Sequence, residues 1–98
     1  MYVHKVLFNF KSGVTSNQIN QMYDSVYNLK DKITEIRQIK IRYDLTMDET
    51  NYSGGFQIIF DNPEGLGKYL PHSEHKLVSD KILAICDDIN VKDYYPSN

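Results

Sequence analysis

The sequence predicts a single α+β domain with a four-stranded antiparallel sheet and helices on one face. Three short stretches alternate apolar and polar residues, as strands with one buried face do, and a fourth is a continuous apolar run bounded by turn residues. Between them lie two regions with apolar residues at helical spacing. The order is strand, helix, strand, strand, helix, strand, which is the ferredoxin-like βαββαβ arrangement.

The first strand is predicted over residues 2–10 and has one strongly apolar face. That face, which we expect the helices to cover, carries His4, Val6, Phe8 and Phe10. A turn at 11–13 leads to a helix over about 16–31, and Thr15 with Gln18 can form a capping box at its start. The predicted apolar stripe of this helix consists of Ile19, Met22, Tyr23, Val26, Lys30 and Ile33, with Lys30 as its one polar member.

The second strand is predicted over residues 35–44. Strict alternation would put Ile36 and Ile39 on opposite faces, which predicts a bulge near Arg37 and Gln38. Residues 45–55 are predicted to form a polar, solvated loop. The third strand follows at 56–60.

Asn62 and Pro63 predict the start of the second helical region, because asparagine caps helices and proline suits their first turn. The helix should run to about Leu70, turn at Pro71, and continue as a longer helix from near His72. The predicted apolar side of that longer helix is Leu77, Val78, Ile82, Ile85 and Cys86. The last strand is predicted over 88–95, with Ile89 and Val91 on one face.

Size and composition limit the function classes. The 98 residues form one domain, 1–98, with a net charge of −2 and no basic patch, which argues against a nucleic-acid-binding protein. No apolar run reaches membrane-spanning length, and the N-terminus lacks the apolar core of a signal peptide. With one cysteine, Cys86, the chain suits a reducing compartment, so we expect a cytoplasmic protein without a membrane partner.

The sheet face opposite the helices predicts a homodimer. Leu7 and Ile59 are expected on this face among Lys5, Asn9 and Gln57, and we expect no other part of the chain to cover it. A half-apolar open face is typical of an interface, so two copies should pack sheet to sheet.

The stretch Tyr69-Leu70-Pro71-His72-Ser73-Glu74-His75 concentrates the polar side-chain chemistry. His75 is a candidate general base and Tyr69 a candidate hydrogen-bond donor to an enolate oxygen, with His4 orienting either the base or the substrate. In the other interpretation, which we favour over catalysis, His72 and His75 cap and hold the helix corner, and His4 is a core histidine whose hydrogen bonds are satisfied. Candidate ligand-lining residues are His4, His72, Tyr23, Val26 and Phe8, although Tyr23 and Val26 also fit an ordinary core.

A metal site would have to use His72, Glu74 and His75. Glu74 is adjacent to His75 and would point away from it on a helix, and no further histidine or cysteine completes a tetrahedral set. We therefore predict neither a metal nor an organic cofactor.

Four stretches resemble the stress-responsive dimeric α/β-barrel (Dabb) family. They are HKVLFNFKSGVT from residue 4, FQIIFDNPE from residue 56, YLPHSEHK from residue 69 and VKDY from residue 91. The resemblance runs across essentially the whole chain, and the tyrosine and two histidines at three-residue spacing are its most specific part. It implies a ferredoxin-like subunit whose sheet packs on a twin sheet, giving a dimeric α+β barrel.

The resemblance implies less about activity. The family includes plant stress-induced proteins without a settled activity, bacterial members of unknown role, and a plant polyketide cyclase. In that cyclase the positions matching Tyr69 and His75 are catalytic, those matching His4 and His72 line or support the site, and the reaction is a metal-free intramolecular aldol condensation. Here residues 79–84 lack the aromatic and glycine residues that open a pocket for an alkyl tail in the cyclase.

We therefore expect a stress-linked cytoplasmic homodimer that binds a small ligand between sheet and helices. The alternative is a cofactor-free, polyketide cyclase-like enzyme that performs aldol chemistry on a β-keto substrate through His75 and Tyr69. A third class with this architecture, the haem- or quinone-oxidising monooxygenases, ranks last because its motifs are not found in the sequence.

Overall fold

The computed structural model describes residues 1–41 and 45–96 and confirms the predicted order of elements. The strands are β1 (Tyr2–Phe10), β2 (Ile36–Ile41), β3 (Gly54–Phe60) and β4 (Cys86–Tyr94), and the helices are α1 (Ser16–Lys32), α2 (Pro63–Tyr69) and α3 (Ser73–Ile85). A short 3-10 helix, Met47–Glu49, lies between β2 and β3. The predicted end of the second strand, 42–44, falls outside the described residues.

The four strands form one antiparallel sheet in the order β2-β3-β1-β4, as a ferredoxin-like fold requires. The two central strands are β1 and β3, so His4 on β1 lies in the interior of the sheet and pairs with Ile58 on one side and Asp93 on the other. Within the described residues, no helix is both long enough and apolar enough to cross a membrane.

The helix starts follow from their capping residues. Thr15 and Gln18 form the predicted capping box of α1. The Asn62 side chain accepts the backbone N–H of Gly65 at the start of α2. At the start of α3, Nδ1 of His72 accepts the backbone N–H of Glu74. A histidine thus occupies the position where serine, threonine, aspartate or asparagine is usual.

The main core lies between the helices and one face of the sheet, and three residue positions differ from the prediction in burial or in secondary structure. In the last turn of α1 the buried residue is Leu29, whereas Lys30 is exposed. Leu29 and Lys30 lie three and four residues after Val26, so helical spacing alone does not decide which of them is buried. On α3, Leu77 is 58% exposed and does not belong to the core. Cys86 is buried as predicted, but as the first residue of β4.

The expectation that nothing covers the opposite face of the sheet is wrong in part. Glu49, in the segment predicted to be a solvated loop, is only 2% exposed. Its Oε2 accepts a hydrogen bond from Nζ of Lys5, which projects from that face, at 2.8 Å. The same segment is tied to the end of β1, because Ser53 bonds to the backbone of both Phe8 and Phe10. Residues 46–53 therefore form a strap over part of this face.

Two register shifts set the side-chain directions at the sheet edges. The bulge predicted in β2 is confirmed between Ile36 and Gln38. A second shift, which was not predicted, lies in β4, where Asp88 has a positive φ of 54°. Because of it, two residues of β4 oppose one residue of β1.

Candidate functional site

A cavity of about 350 Å³ opens between α3, the end of α2 and the strands β1 and β4. We call it the His4 cavity. Its polar lining consists of His4, Tyr69, His75, Ser79 and Asp93. Its apolar lining consists of Val6, Phe56, Leu70, Val78, Ile82, Leu83, Ile89 and Val91.

The three candidate residues of the cavity come from three different elements. His4 belongs to the central strand β1, Tyr69 is the last residue of α2, and His75 lies in the first turn of α3. The Tyr69 ring lies between the two imidazoles, with ring centroids 5.7 Å from His4 and 4.4 Å from His75. The corner at Leu70 and Pro71 brings the tyrosine and the second histidine together although they lie on separate helices.

His4 is oriented by a carboxylate that the sequence analysis did not identify. Its Nδ1 donates a hydrogen bond to Oδ1 of Asp93 at 2.6 Å. The two residues are directly opposite each other on β1 and β4. Because Nδ1 carries the proton in this bond, Nε2 of the neutral imidazole is a hydrogen-bond acceptor. The pattern that would have revealed Asp93 is the β1–β4 register, which depends on the unpredicted bulge.

His75 is held in the same tautomer by a different partner. Its Nδ1 lies 2.8 Å from the carbonyl oxygen of Leu70. A carbonyl can only accept, so Nδ1 is the donor and Nε2 is left as an acceptor when the ring is neutral. The described part of the chain supplies no hydrogen-bond partner for this Nε2 or for Nε2 of His4.

The Tyr69 hydroxyl is a further polar group of the cavity without a hydrogen-bond partner among the described residues. Tyr69 is only 2% exposed, yet no described residue forms a hydrogen bond with its hydroxyl. A buried polar group normally has a partner, because desolvating it without one costs free energy. The cavity that Tyr69 lines is the place from which a water or ligand can supply that partner.

Burial also governs the protonation of these groups. Removal from water lowers the pKa of His4 below its ordinary value; the bond to Asp93 and the charge of Asp93 oppose this, and the charge of His75 adds to it. Burial raises the pKa of the Tyr69 phenol. His4 is therefore a neutral imidazole at neutral pH, and Tyr69 keeps its proton as a hydrogen-bond donor.

The other predicted site residues lie outside the His4 cavity. His72 is the N-cap of α3. Phe8 and Val26 are fully buried in the main core. Tyr23 is also buried there, and its hydroxyl accepts the backbone N–H of Gly55. The structure thus brings His4, Tyr69 and His75 together and leaves the other four elsewhere.

Metal-binding and thiol chemistry find little support in the described residues. They contain no group of three or more histidine, cysteine, aspartate or glutamate side chains that could hold a metal ion. Cys86 is buried, and burial together with the charge of Asp87 raises the pKa of its thiol to about 11. Such a thiol is protonated at neutral pH and is a poor nucleophile.

Comparison with known proteins gives a family match and several similar structures. A family model described as the stress responsive A/B barrel domain matches residues 3–96. A stress-response A/B barrel domain-containing protein of Arabidopsis thaliana is 25% identical over 97 residues, which cover 97% of this chain and 89% of that protein.

Two solved structures illustrate the range of proteins with this fold. A hydroxynitrile lyase from Passiflora edulis has a TM-score of 0.82 and 19% identity, with 98% of this chain and 94% of that chain covered. A dimeric ferredoxin-like protein of unknown function from Thermobifida fusca has a TM-score of 0.80 and 22% identity, with 97% and 90% covered. At these identities the likeness establishes the shared fold.

Proposed function

The chain belongs to the stress-responsive A/B barrel domain family, and we propose that it binds a small, largely apolar molecule carrying a carbonyl oxygen in the His4 cavity. The observation that carries the proposal is the Tyr69 hydroxyl, which is buried beside the cavity without a partner among the described residues. A carbonyl oxygen can accept a hydrogen bond from this hydroxyl and so satisfy it.

The size and lining of the cavity support a ligand of this kind. A volume of about 350 Å³ falls at the small end of the range for small-molecule sites. Most of the lining side chains are apolar, and the rings of His4 and His75 lie beside Tyr69. Such a site suits a compact apolar body with one or two oxygen atoms.

Acetophenone and α-methylstyrene provide a matched pair of probes, because they differ only in a carbonyl oxygen against a methylene group. We expect wild-type protein to bind acetophenone more tightly, as measured by isothermal titration calorimetry. Tyr69→Phe should weaken acetophenone binding about 5-fold, since one hydrogen bond contributes about 1 kcal/mol, and leave α-methylstyrene unchanged.

Tyr27→Phe is the control, because Tyr27 is an exposed residue of α1 outside the cavity. It should leave the affinities for both probes at their wild-type values. Equal loss of both probes in Tyr69→Phe would indicate a change of cavity shape and would contradict the role given to the hydroxyl. Failure of both probes to bind wild-type protein at millimolar concentration would remove the proposal.

A second candidate function is proton abstraction next to a carbonyl, the first step of the aldol chemistry expected for a β-keto substrate. It is favoured by the bond from Nδ1 of His75 to Leu70, which leaves Nε2 as a base beside Tyr69. In this mechanism Nε2 takes the proton and the carbon–hydrogen pair of electrons moves into the enolate, whose oxygen the Tyr69 hydroxyl stabilises. In the aldol step the enolate carbon then attacks a second carbonyl, and the resulting alkoxide takes the proton back from the His75 imidazolium.

Exchange of the methyl protons of acetophenone in deuterated water tests this step directly by proton NMR. Wild-type protein should accelerate the exchange, and His75→Phe should abolish the acceleration. The control is His72→Asn, which replaces the N-cap of α3 with another capping residue outside the cavity. If wild-type protein binds acetophenone but the exchange proceeds at the uncatalysed rate, the protein binds the ligand and does not abstract its proton.

The protein is also proposed to be a cytoplasmic homodimer that uses the sheet face opposite the helices. A dimeric neighbour with this fold supports the dimer, and the strap formed by residues 46–53 would then be part of the interface. The free, buried Cys86 is compatible with a reducing compartment. Light scattering at micromolar concentration should give the mass of a dimer, and a monomer mass would contradict this assembly.

A further inference from the structure

The side chains of the His4 cavity offer a ligand more hydrogen-bond acceptors than donors. The two histidines each use Nδ1–H on a protein oxygen and leave Nε2 without a partner among the described residues. Tyr69 contributes one unused hydroxyl between them. In their neutral forms these three side chains therefore offer two nitrogen acceptors and only one donor, the Tyr69 hydroxyl, whose oxygen can also accept. Ser79, on the same wall, can act in either sense.

The fixed charge of the described cavity lining is negative. Among the described lining residues Asp93 is the one acidic residue, and its side chain is 35% exposed. The lining residues that the structure describes include no lysine or arginine. The titratable groups that face one another are His4 from β1, Tyr69 from α2, His75 from α3 and Asp93 from β4. None of them supplies a permanent positive charge.

We infer that the His4 cavity selects an uncharged ligand with a hydroxyl group on the carbon next to its carbonyl, and that it rejects the corresponding carboxylate. The inference rests on the proposed function and narrows its ligand to a class. The carbonyl oxygen accepts from Tyr69, and the adjacent hydroxyl donates to Nε2 of one of the flanking histidines. A carboxylate has only acceptor atoms, so it would meet two lone pairs and the charge of Asp93.

The unused nitrogen of His4 gives this selectivity its free-energy basis. His4 is 5% exposed, so an acceptor left unpaired beside a bound ligand is shielded from bulk water. A ligand that supplies a donor satisfies it, whereas a ligand that supplies only acceptors leaves it unpaired. Sites that contain buried polar groups discriminate strongly against ligands that leave those groups without partners.

Three probes that share a benzoyl group test the inference. Acetophenone, 2-hydroxyacetophenone and benzoylformate carry a methyl, a hydroxymethyl and a carboxylate group on the same carbonyl. At about pH 8, where imidazole is ordinarily neutral, we expect 2-hydroxyacetophenone to bind wild-type protein about 5-fold more tightly than acetophenone, from one added hydrogen bond. Benzoylformate should bind at least about 10-fold more weakly than acetophenone. Calorimetry gives all three affinities without any variant.

Single variants then identify the acceptor. Either His75→Phe or His4→Phe should reduce the ratio of the 2-hydroxyacetophenone and acetophenone affinities to about one, while His72→Asn should leave it at the wild-type value. Circular dichroism checks that each variant is folded, and the wild-type comparison stands if one is not. Tighter binding of benzoylformate than of 2-hydroxyacetophenone, or a ratio that survives in both variants, overturns the inference while acetophenone binding still supports the proposed function. If acetophenone itself does not bind, the proposed function fails and the inference fails with it.

Discussion

The ion pair between Lys5 and Glu49 is expected to make a large, strongly coupled contribution to stability. Nζ of Lys5 lies 2.8 Å from Oε2 of Glu49, and the two side chains are only 12% and 3% exposed. Oε1 of Glu49 also accepts the backbone N–H of Thr46, which closes the first turn of the strap. Removing one member of a buried pair leaves a desolvated charge, which costs about 3–5 kcal/mol.

A double-mutant cycle measures this coupling. Lys5→Met should lower the free energy of unfolding by about 3 kcal/mol, because Glu49 is then buried alone. Glu49→Met should cost about 4 kcal/mol, since it removes both the ion pair with Lys5 and the hydrogen bond from Thr46. The double variant should cost only about 1 kcal/mol, because neither member of the pair is then buried without the other and methionine fills the space.

Urea unfolding followed by circular dichroism gives the four free energies, and all four proteins are measured at the same concentration because dimerisation makes stability depend on concentration. If the double variant loses the sum of the two single losses to within about 0.5 kcal/mol, the two side chains are not coupled and this account of the strap is wrong. The pH dependence is a second check. Burial raises the pKa of Glu49, but the bonds from Lys5 and Thr46 outweigh burial and hold it below 4.5. Ionised Glu49 therefore makes its full contribution to the free energy of unfolding above pH 4.5, and this contribution is lost as the pH falls through the lowered pKa. The Glu49→Met variant should not show this loss.

Two further predictions concern the site and the backbone. The free energy of unfolding should fall as the pH drops below 6.5, because burial lowers the pKa of His4 and the unfolded chain takes up the proton first. Asp93→Asn should lower the pKa of His4 further in an NMR titration, and a rise would contradict the role of Asp93. Gly54→Ala should destabilise the fold by about 1–3 kcal/mol, because the new Cβ would lie 2.6 Å from the Tyr23 hydroxyl. Gly67→Ala, in α2 with no atom within 4 Å of the new Cβ, should instead stabilise it by about 0.5–1 kcal/mol in the same urea assay.

Local chemistry made most of the fold predictable. The capping box at Thr15, the Asn62–Pro63 helix start and the alternating strands act over a few residues, so the sequence shows them directly. Spacing was less informative where two positions satisfied it equally. Leu29 and Lys30 both continue the stripe of α1, and only packing against the sheet selects the leucine.

The candidate site was predictable in its residue types and only partly in its geometry. Tyr69 and His75 are close in the chain, and the alternation of side chains along β1 puts His4 on the side of the sheet that faces the helices. Asp93 lies 89 residues from His4, and its contact depends on a strand register that no local pattern specifies. Glu49 was assigned to a solvated loop because its neighbours are polar, and its burial follows from a lysine on a different element.

The bulge at Asp88 lets β4 place two residues on the same side of the sheet that a regular strand would place on opposite sides. Cys86 and Asp93 are seven residues apart, and an odd separation in a regular strand puts side chains on opposite faces. Here the first packs into the core and the second lines the His4 cavity on the same side. A change of one residue in the length of β4 would therefore turn the carboxylate away from His4 without altering the core contact. During evolution, such an insertion or deletion could switch the chemistry of the cavity between family members while the order of strands stayed the same.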